Sequence, residues 1–388
     1  MPWKESSVLD EKRKFVYRAL AGNEVFSELC DEYGVSRKTG YKWLARYEAE
    51  GMRGLEDRSR RPGKSVNSLD EDAIIRTITL KHNHMTWGPK KLKELLNRSL
   101  GEGRAPSISS ITRILKKADL IKKRRIRSAL SPGRIQNRIE AKECNDVWVV
   151  DYKGWWLTRD RYKCTPLTIS DRASRMLIRV QRVDKMTAEV ARSVFESAFS
   201  EYGLPKVIRS DNGSPFATTN APHGLSRLSV WWMSLGILPD RIDPGKPYQN
   251  GTHERMHRDL KAEVQMSIVM DLVQSQPALD AWREEYNEAR PHEGIGMQMP
   301  AEIYVPSTRK YEPFDELEYP EGFLARKVSS DGKIKINSLR IHVSTVFAGH
   351  HLGLNPTGES SFSVWLGEFQ VGNIDLLTAS FIIEGVKI

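Results

Sequence analysis

The stretch "KVIRSDNGSPF", residues 206–216, joins a strand-like apolar run to a polar turn. Asp and Asn tolerate unusual backbone angles and Gly permits a positive φ, so Asp211, Asn212 and Gly213 are typical of a chain reversal. The same order also places the Asp211 carboxylate on the rigid end of a strand, where it is available for chemistry. Both interpretations stay open on this stretch alone.

A second acid, Asp151, lies within the apolar run "VWVVDYKGWW". A charge buried in such a strand needs a compensating partner, for example a metal ion. Two more strand-like segments and the amphipathic helix "TAEVARSVFESAFSEYG" separate Asp151 from Asp211. This order predicts a mixed α/β sheet in which the two acids can lie at neighbouring strand ends.

A third acid, Glu254, lies early in a predicted helix within "GTHERMHRDLK", residues 251–261. Helical spacing places it near His257, Arg258 and Lys261, so a carboxylate that holds a metal would precede cations that hold a phosphate. Three carboxylates suit Mg²⁺ or Mn²⁺, and two such ions about 3.5–4 Å apart serve phosphoryl transfer. His253 and His257 are expected to contact DNA or water rather than a metal.

The net charge of +10 is concentrated in the N-terminal third of the 388 residues. Residues 1–144 contain 32 Lys and Arg against 19 Asp and Glu, whereas the remainder contains 28 against 31. A basic surface attracts polyanions, of which nucleic acid is the usual one, although a merely solvated face is the alternative.

The segment "EVFSELCDEYGVSRKTGYKWLARYEAEG", residues 24–51, has the pattern of a helix-turn-helix. Gly34 allows the turn, and Val35 and Trp43 fall on the face that packs inward. A short α-hairpin with a basic face is the alternative. The outward residues predicted to contact DNA are Arg37, Lys38, Tyr41, Lys42 and Arg46.

Two basic linkers flank a second unit that resembles a helix-turn-helix and has a helix opening near Pro89. Such segments often lie along DNA phosphates, but a solvated spacer is about as plausible for the first linker. The predicted contacts are Arg58, Arg60, Arg61 and Lys64 in the first linker, Lys90 and Lys91 in the second unit, and Lys122, Lys123, Arg124, Arg125 and Arg127 in the second linker.

Residues 306–388 consist of short strand-like segments, from "GKIKIN" to "FQVGNID", which predict a small β barrel. This region has 8 Lys and Arg against 10 Asp and Glu, so protein contacts are as plausible as DNA contacts.

The chain shows neither a run of 18 apolar residues nor an apolar signal core, which argues against a membrane partner. Its three cysteines, Cys30, Cys144 and Cys164, do not form a Cys-x-x-Cys pair. We therefore expect a cytoplasmic protein associated with the nucleoid.

The joint order of "YGVSRKTGYKWLARY", "WGPKKL", "WVVDYKG", "IRSDNG", "NGTHERMHRDLK" and "RPHEGIGMQMPAEIY" resembles transposases of the insertion sequence 481 family, whose core is similar to that of retroviral integrases. The resemblance implies a ribonuclease-H-like core and two bound Mg²⁺, for which Mn²⁺ can substitute. It assigns metal-ligand roles to Asp151, Asp211 and Glu254, implies no covalent protein–DNA intermediate, and favours Asp211 as a ligand.

We therefore expect a multidomain chain with all-α helix-turn-helix units, a central α/β ribonuclease-H-like core with a mixed sheet, and a C-terminal small β barrel. The predicted parts are a helix-turn-helix domain over residues 1–56, a linker over 57–68, a second such domain over 69–121, a linker over 122–143, the core over 144–305 and the barrel over 306–388.

The expected function is strand transfer of insertion-sequence ends, bound as terminal inverted repeats, into target double-stranded DNA by at least a dimer. A repeat-binding repressor derived from a transposase, a plain metal-dependent nuclease and an assembly factor are the alternatives.

Two departures from the family pattern are visible. Retroviral integrases have a His/Cys zinc module in front, which this chain lacks. Asp211 and Glu254 are 43 residues apart, wider than usual, with Glu263 as the alternative third acid. The extra residues, "ATTNAPHGLSRLS" over 217–229, have the composition of a surface loop.

Overall fold

The computed structural model describes residues 7–58, 70–101, 103–121, 139–218, 221–243, 251–265, 271–313 and 317–383. The chain divides into two compact units, Met1–Leu69 and Asp70–Ile388. Among the helices in these ranges, none is both long and apolar enough to cross a membrane.

The first unit contains three helices, α1 (Val8–Ala21), α2 (Phe26–Glu32) and α3 (Arg37–Glu50), followed by a 3₁₀ turn over Gly51–Leu55. Gly34 has φ +64°, as the turn between α2 and α3 requires. Ser36 caps α3 by accepting a hydrogen bond from the Thr39 amide at 3.2 Å. Val35 and Trp43 pack against the buried Phe15, Leu29 and Cys30, which confirms the predicted helix-turn-helix.

The second unit opens with three helices, α4 (Glu71–Asn83), α5 (Pro89–Leu100) and α6 (Ile108–Lys117). Pro89 occupies the first turn of α5 and Ser107 caps α6, because each residue suits a helix start. Trp87 is 2% exposed and packs with leucines and isoleucines of this bundle. The bundle lies against the next domain, where Trp87 stacks over the Arg290 guanidinium at 5.3 Å.

A six-stranded mixed sheet follows, formed by β1 (Val147–Tyr152), β2 (Trp156–Leu157), β3 (Lys163–Asp171), β4 (Leu177–Val183), β5 (Val207–Ser210) and β6 (Leu238–Arg241). Their order is β2-β3-β1-β5-β6. On the edge of β3 opposite β1, β2 pairs with residues 163–164 and β4 pairs with residues 165–170. The pairs β1–β3 and β3–β4 are antiparallel, while β1–β5 and β5–β6 are parallel. The predicted mixed sheet is confirmed.

Five helices accompany this sheet: α7 (Ala188–Tyr202), α8 (Arg227–Ser234), α9 (Gly251–Leu260), α10 (Leu272–Glu284) and α11 (Pro300–Ile303), with π-helical turns after α9 and α10. The prediction of a surface loop over 217–229 is wrong for its end. Ser226 caps α8, and Leu225, Leu228 and Ser229 are buried. The polar residues of this segment suggested a surface loop, but they form the buried start of α8.

The C-terminal part contains β7 (Leu324–Lys327), β8 (Lys333–Ile336), β9 (Leu339–His342), β10 (His351–Pro356), β11 (Ser361–Leu366), β12 (Phe369–Asp375) and β13 (Ser380–Ile382). In the described residues these strands form an open sheet, β13-β12-β11-β10-β7, and a separate β8–β9 hairpin. The predicted closed barrel is therefore not observed. The sheet instead covers its apolar face with Leu225, Val230 and Met233, which belong to α8 and the residues before it.

Candidate active site

Asp151 and Asp211 lie at the same edge of the mixed sheet. β1 and β5 run parallel in a register that pairs Val149 with Arg209. Continued by two residues, this register brings Asp151 opposite Asp211, because parallel neighbours advance together. On its other side, Asp151 pairs with Thr168 of β3.

The Asp211 side chain also forms the turn that its sequence predicts. Its Oδ1 accepts a hydrogen bond from the Gly213 amide at 3.0 Å. The Asn212 side-chain amide donates to the Ile242 carbonyl at 2.7 Å, which ties the turn to the residue after β6. The turn interpretation is therefore confirmed, and the turn also orients the carboxylate. The role of Asp211 as a metal ligand stays a prediction.

Glu254 is exposed in the first turn of α9. Its charge and that of Asp211 reach Asp151: the pKa of Asp151 rises to about 7, first because the carboxyl is buried and then because these two carboxylates repel its charge. Both carboxylates are thus near enough to Asp151 to disfavour its ionised form. A divalent cation would relieve this repulsion.

Glu263, the alternative third acid, is bound by other residues of the protein. Its carboxylate forms an ion pair with Arg290 and accepts a hydrogen bond from Trp282 Nε1 at 2.6 Å. Thr86 of the α4–α6 bundle donates to it as well. Glu263 therefore joins that bundle to the sheet domain, and Glu254 is the better candidate.

His253 and His257 differ from expectation, since they are 3% and 8% exposed rather than facing solvent. Burial lowers the pKa of His253 to about 3 and that of His257 to about 2, so both rings are neutral. The spacing of His253, Met256, His257 and Leu260 at i, i+3, i+4 and i+7 marks the buried face of α9 and was the missed signal.

Asp151, His253 and His257 form a group whose candidate ligand atoms lie within 4.8 Å of one another. Both nitrogens of His253 and Nε2 of His257 are already bonded to the hydroxyls of Thr168 and Ser170. Only His257 Nδ1 remains, 3.8 Å from Asp151 Oδ2. Three of the four ring nitrogens are therefore already hydrogen-bonded, and the fourth, His257 Nδ1, faces the Asp151 carboxyl.

Cations lie beside the acids. Arg258 and Lys261 are exposed on α9 and the turn that follows it. Burial lowers the pKa of Lys153, and the nearby charge of Lys261 lowers it further, which places these two ammonium groups within electrostatic reach. A phosphate between them would relieve this repulsion.

The residues predicted to contact DNA differ in how exposed they are. Arg37, Lys38, Tyr41 and Lys42 are exposed on α3, whereas Arg46 is half-buried beside Trp43. That these α3 residues contact DNA remains a prediction. The predicted contacts that lie outside the described residues are Arg60, Arg61, Lys64, Lys122, Lys123, Arg124, Arg125 and Arg127.

Three other predicted contacts have partners within the protein. Arg58 forms an ion pair with Glu50, and Lys90 forms one with Glu293. Lys91 is half-buried beside the Trp87 ring, 5.7 Å from its centroid. Lys90 and Lys91 therefore contribute to packing of the α4–α6 bundle, and their role toward DNA remains a prediction.

Comparison with known families agrees with this arrangement. Two models of the integrase core domain match residues 141–247 and 235–300, which include all three acids. A helix-turn-helix domain matches residues 11–63, and a homeodomain-like domain matches residues 39–115. The chain thus has an integrase core domain preceded by helix-turn-helix domains.

Two relatives are proteins of bacterial insertion elements. A 39.2 kDa protein of insertion element IS476 from Xanthomonas euvesicatoria is 26% identical over 59% of this chain and 63% of its own length, just under two thirds. A 31.7 kDa protein of insertion element IS407 from Burkholderia multivorans is 27% identical over 60% of this chain and 81% of its own.

Among solved structures, the catalytic core domain of BIV integrase is 24% identical and covers 41% of this chain and 93% of that domain. The TM-score between that domain and this chain is 0.32.

Proposed function

We propose that this chain, in which an integrase core domain follows helix-turn-helix domains, is a DNA transposase acting on the ends of an insertion element. The α3 helix and the basic segments bind the terminal inverted repeats. One strand is hydrolysed to a 3′-OH, which then attacks a target phosphodiester by in-line displacement. Both ends are handled together, so at least a dimer assembles on DNA. Membership of the insertion sequence 481 family rests on the order of the motifs alone.

The observation that supports this proposal is the parallel β1–β5 register, which brings Asp151 opposite Asp211 within an integrase core domain, with the charge of Glu254 near enough to help raise the pKa of Asp151. A cation bound between such carboxylates would favour their ionised forms. Asp151, Asp211 and Glu254 fit two Mg²⁺ ions, for which Mn²⁺ can substitute, because these ions prefer carboxylate ligands. When bound, the ions would stabilise charge on the attacking and leaving oxygens.

The protein itself fixes the positions of the carboxylates and of the DNA phosphates. β1 and β5 fix two of the carboxylates on a rigid sheet, and the Gly213 amide orients Asp211. Arg258 and Lys261 are exposed beside the acids and hold phosphates of the DNA strand. Since the acids and cations suffice, no Ser, Tyr or Cys nucleophile is needed, and no covalent protein–DNA intermediate forms.

The test uses the full chain with supercoiled plasmid carrying the native flanking repeats, in Mg²⁺ or in EDTA. We expect Mg²⁺-dependent nicking at the repeat edge and joined products, both lost in Asp211→Asn. Asp184→Asn, whose side chain is 78% exposed beside Arg182, is the matched control and should retain activity.

The alternatives predict other outcomes. Tight binding to the repeats without cleavage in Mg²⁺ or Mn²⁺ would favour a repressor. Cleavage without joining would favour a nuclease. Strand transfer that survives Asp211→Asn would remove Asp211 from the site.

A further inference from the structure

The hydroxyl of Thr168, on β3, is bonded to groups of two other elements. Its oxygen lies 2.9 Å from the Asp151 carbonyl on β1, 2.7 Å from His253 Nε2 and 2.7 Å from His257 Nε2 on α9. Thr168 is 0% exposed. Each of these bonds is costly to break, because bulk water does not reach the groups that would be left unpaired.

The chemistry of the partners fixes the direction of every bond. A carbonyl oxygen only accepts, so Thr168 donates its single proton to Asp151 and accepts from both histidines. Each ring therefore has its proton on Nε2. The Nδ1 of His253 accepts from Ser170 Oγ at 3.1 Å, which leaves that ring no freedom to flip.

The network joins the elements that hold two of the three acids. Glu254 lies on α9 beside His253, while Asp151 contributes the carbonyl on β1. Within the described residues, every hydrogen bond from α9 to the sheet runs through the two histidines. Apolar packing of Met256 and Leu260 supports α9 but has no direction of its own.

We propose that Thr168, which accepts hydrogen bonds from His253 and His257, is a positioning residue. It sets the separation of the Asp151 and Glu254 carboxylates and thereby the affinity of the site for its divalent cations. This inference rests on the proposed function. Outer groups that orient metal ligands change metal affinity by about 10- to 100-fold when they are removed.

The test compares Thr168→Val with Thr165→Val in the full chain. Thr165 is 8% exposed on the same strand and three residues away, so its side chain leaves the opposite face of the sheet. Free Mn²⁺ is measured by electron paramagnetic resonance during titration. We expect Thr168→Val to weaken Mn²⁺ binding about 10-fold or more, while Thr165→Val and the hydroxyl-retaining Thr168→Ser stay within about threefold of the original chain.

Strand transfer gives a second measurement. A positioning defect raises the Mg²⁺ concentration needed for half-maximal rate and leaves repeat binding unchanged. A folding defect lowers the active fraction at every metal concentration and does not change that midpoint. Unchanged Mn²⁺ affinity in a folded Thr168→Val chain would overturn the inference.

A second pair keeps the test decisive if Thr168→Val does not fold. His257→Gln retains a side-chain N–H donor toward Thr168, and His257→Leu removes it. We expect only the leucine variant to weaken Mn²⁺ binding, and equal affinities would contradict the inference. Asp211→Asn separates the two proposals. If it binds Mn²⁺ as tightly as the original chain, the carboxylate site and the proposed function fail; if it alone loses binding, only the Thr168 inference fails.

Discussion

The position of the Asp211 carboxylate depends on Gly213, two residues further along the chain. A Cβ on Gly213 would stand 3.1 Å from Asp211 Oδ2 and 3.3 Å from Oδ1, closer than such atoms normally approach. The Gly213 amide meanwhile holds Oδ1 at 3.0 Å. A side chain at position 213 would therefore displace the Asp211 carboxylate by a few tenths of an ångström.

Gly213→Ala should therefore impair catalysis more than folding. A displacement of a few tenths of an ångström at a reacting group costs about 10-fold in rate, while the free energy of unfolding should change by less than about 1 kcal/mol. Single-turnover strand transfer and urea unfolding measure the two effects. The control, Gly88→Ala, meets no atom within 4 Å and should change neither. Unchanged strand transfer in Gly213→Ala would contradict this account.

The partly buried Lys91 leads to a prediction about how the free energy of unfolding depends on pH. Burial lowers its pKa from 10.5 to about 8, so the folded chain binds this proton less tightly than the unfolded chain. The cost of burying the charge is present in full below pH 8 and vanishes as the pH approaches 10.5. Lys91→Met keeps the apolar stem and removes the charge, and should raise the free energy of unfolding by about 1 kcal/mol at pH 7 after allowance for partial exposure.

Urea unfolding at pH 7 and at pH 10 checks this expectation, with the gain largest at pH 7. Lys90→Met is the neighbouring control, because its ion pair with Glu293 is exposed and water screens it, so it contributes little to stability. A gain that grows with pH would contradict burial as the cause.

At the scale of elements, α3 has the features of a recognition helix. Arg37, Lys38 and Lys42 are exposed, and in the described part of the chain no carboxylate forms an ion pair with them. Replacing all three by alanine should lower the slope of log affinity against log salt by about 0.9 for each DNA phosphate that these side chains neutralise.

Binding of repeat DNA at several salt concentrations measures this slope. Lys14→Ala is the matched control on α1, since Lys14 pairs with Glu11 at 2.8 Å and should leave the slope nearly unchanged. Equal slopes in the triple variant and the original chain would remove α3 from the surface that binds phosphates.

Sequence predicted elements well wherever one local rule decided them. The helix-turn-helix followed from Gly34 and Ser36. The sheet edge followed from Asp151 near the end of one strand and Asp211 directly after another. The start of α8 was missed because a helix buried on all sides has no amphipathic period. The burial of the two histidines could have been read from their helical spacing, but their partner Thr168 could not, because it lies on a distant strand and only the fold brings them together.

At the scale of the whole molecule, α8 links two apolar cores. Leu228, Trp231 and Trp232 belong to the core of the mixed sheet, while Val230 and Met233 belong to that of the C-terminal sheet. The two sheets are therefore expected to unfold together, since neither core is complete without this helix.

Val230→Asp tests this dependence. Val230 is 0% exposed, and a buried carboxylate without a partner costs several kcal/mol, so we expect little soluble protein. Val273→Asp is the control, because Val273 is 83% exposed at the start of α10 and should tolerate the charge. Soluble yield and thermal unfolding distinguish the two variants, and a Val230→Asp chain as stable as the control would refute the shared core.

The apolar surroundings of α8 also have a genetic consequence. A stop codon soon after Glu312 would remove the C-terminal strands and expose Leu225, Val230 and Met233 to water, a surface that favours aggregation. Shortened alleles of this gene should therefore be recessive nulls that leave no stable product. They would not yield dominant inhibitors that occupy the ends of the element.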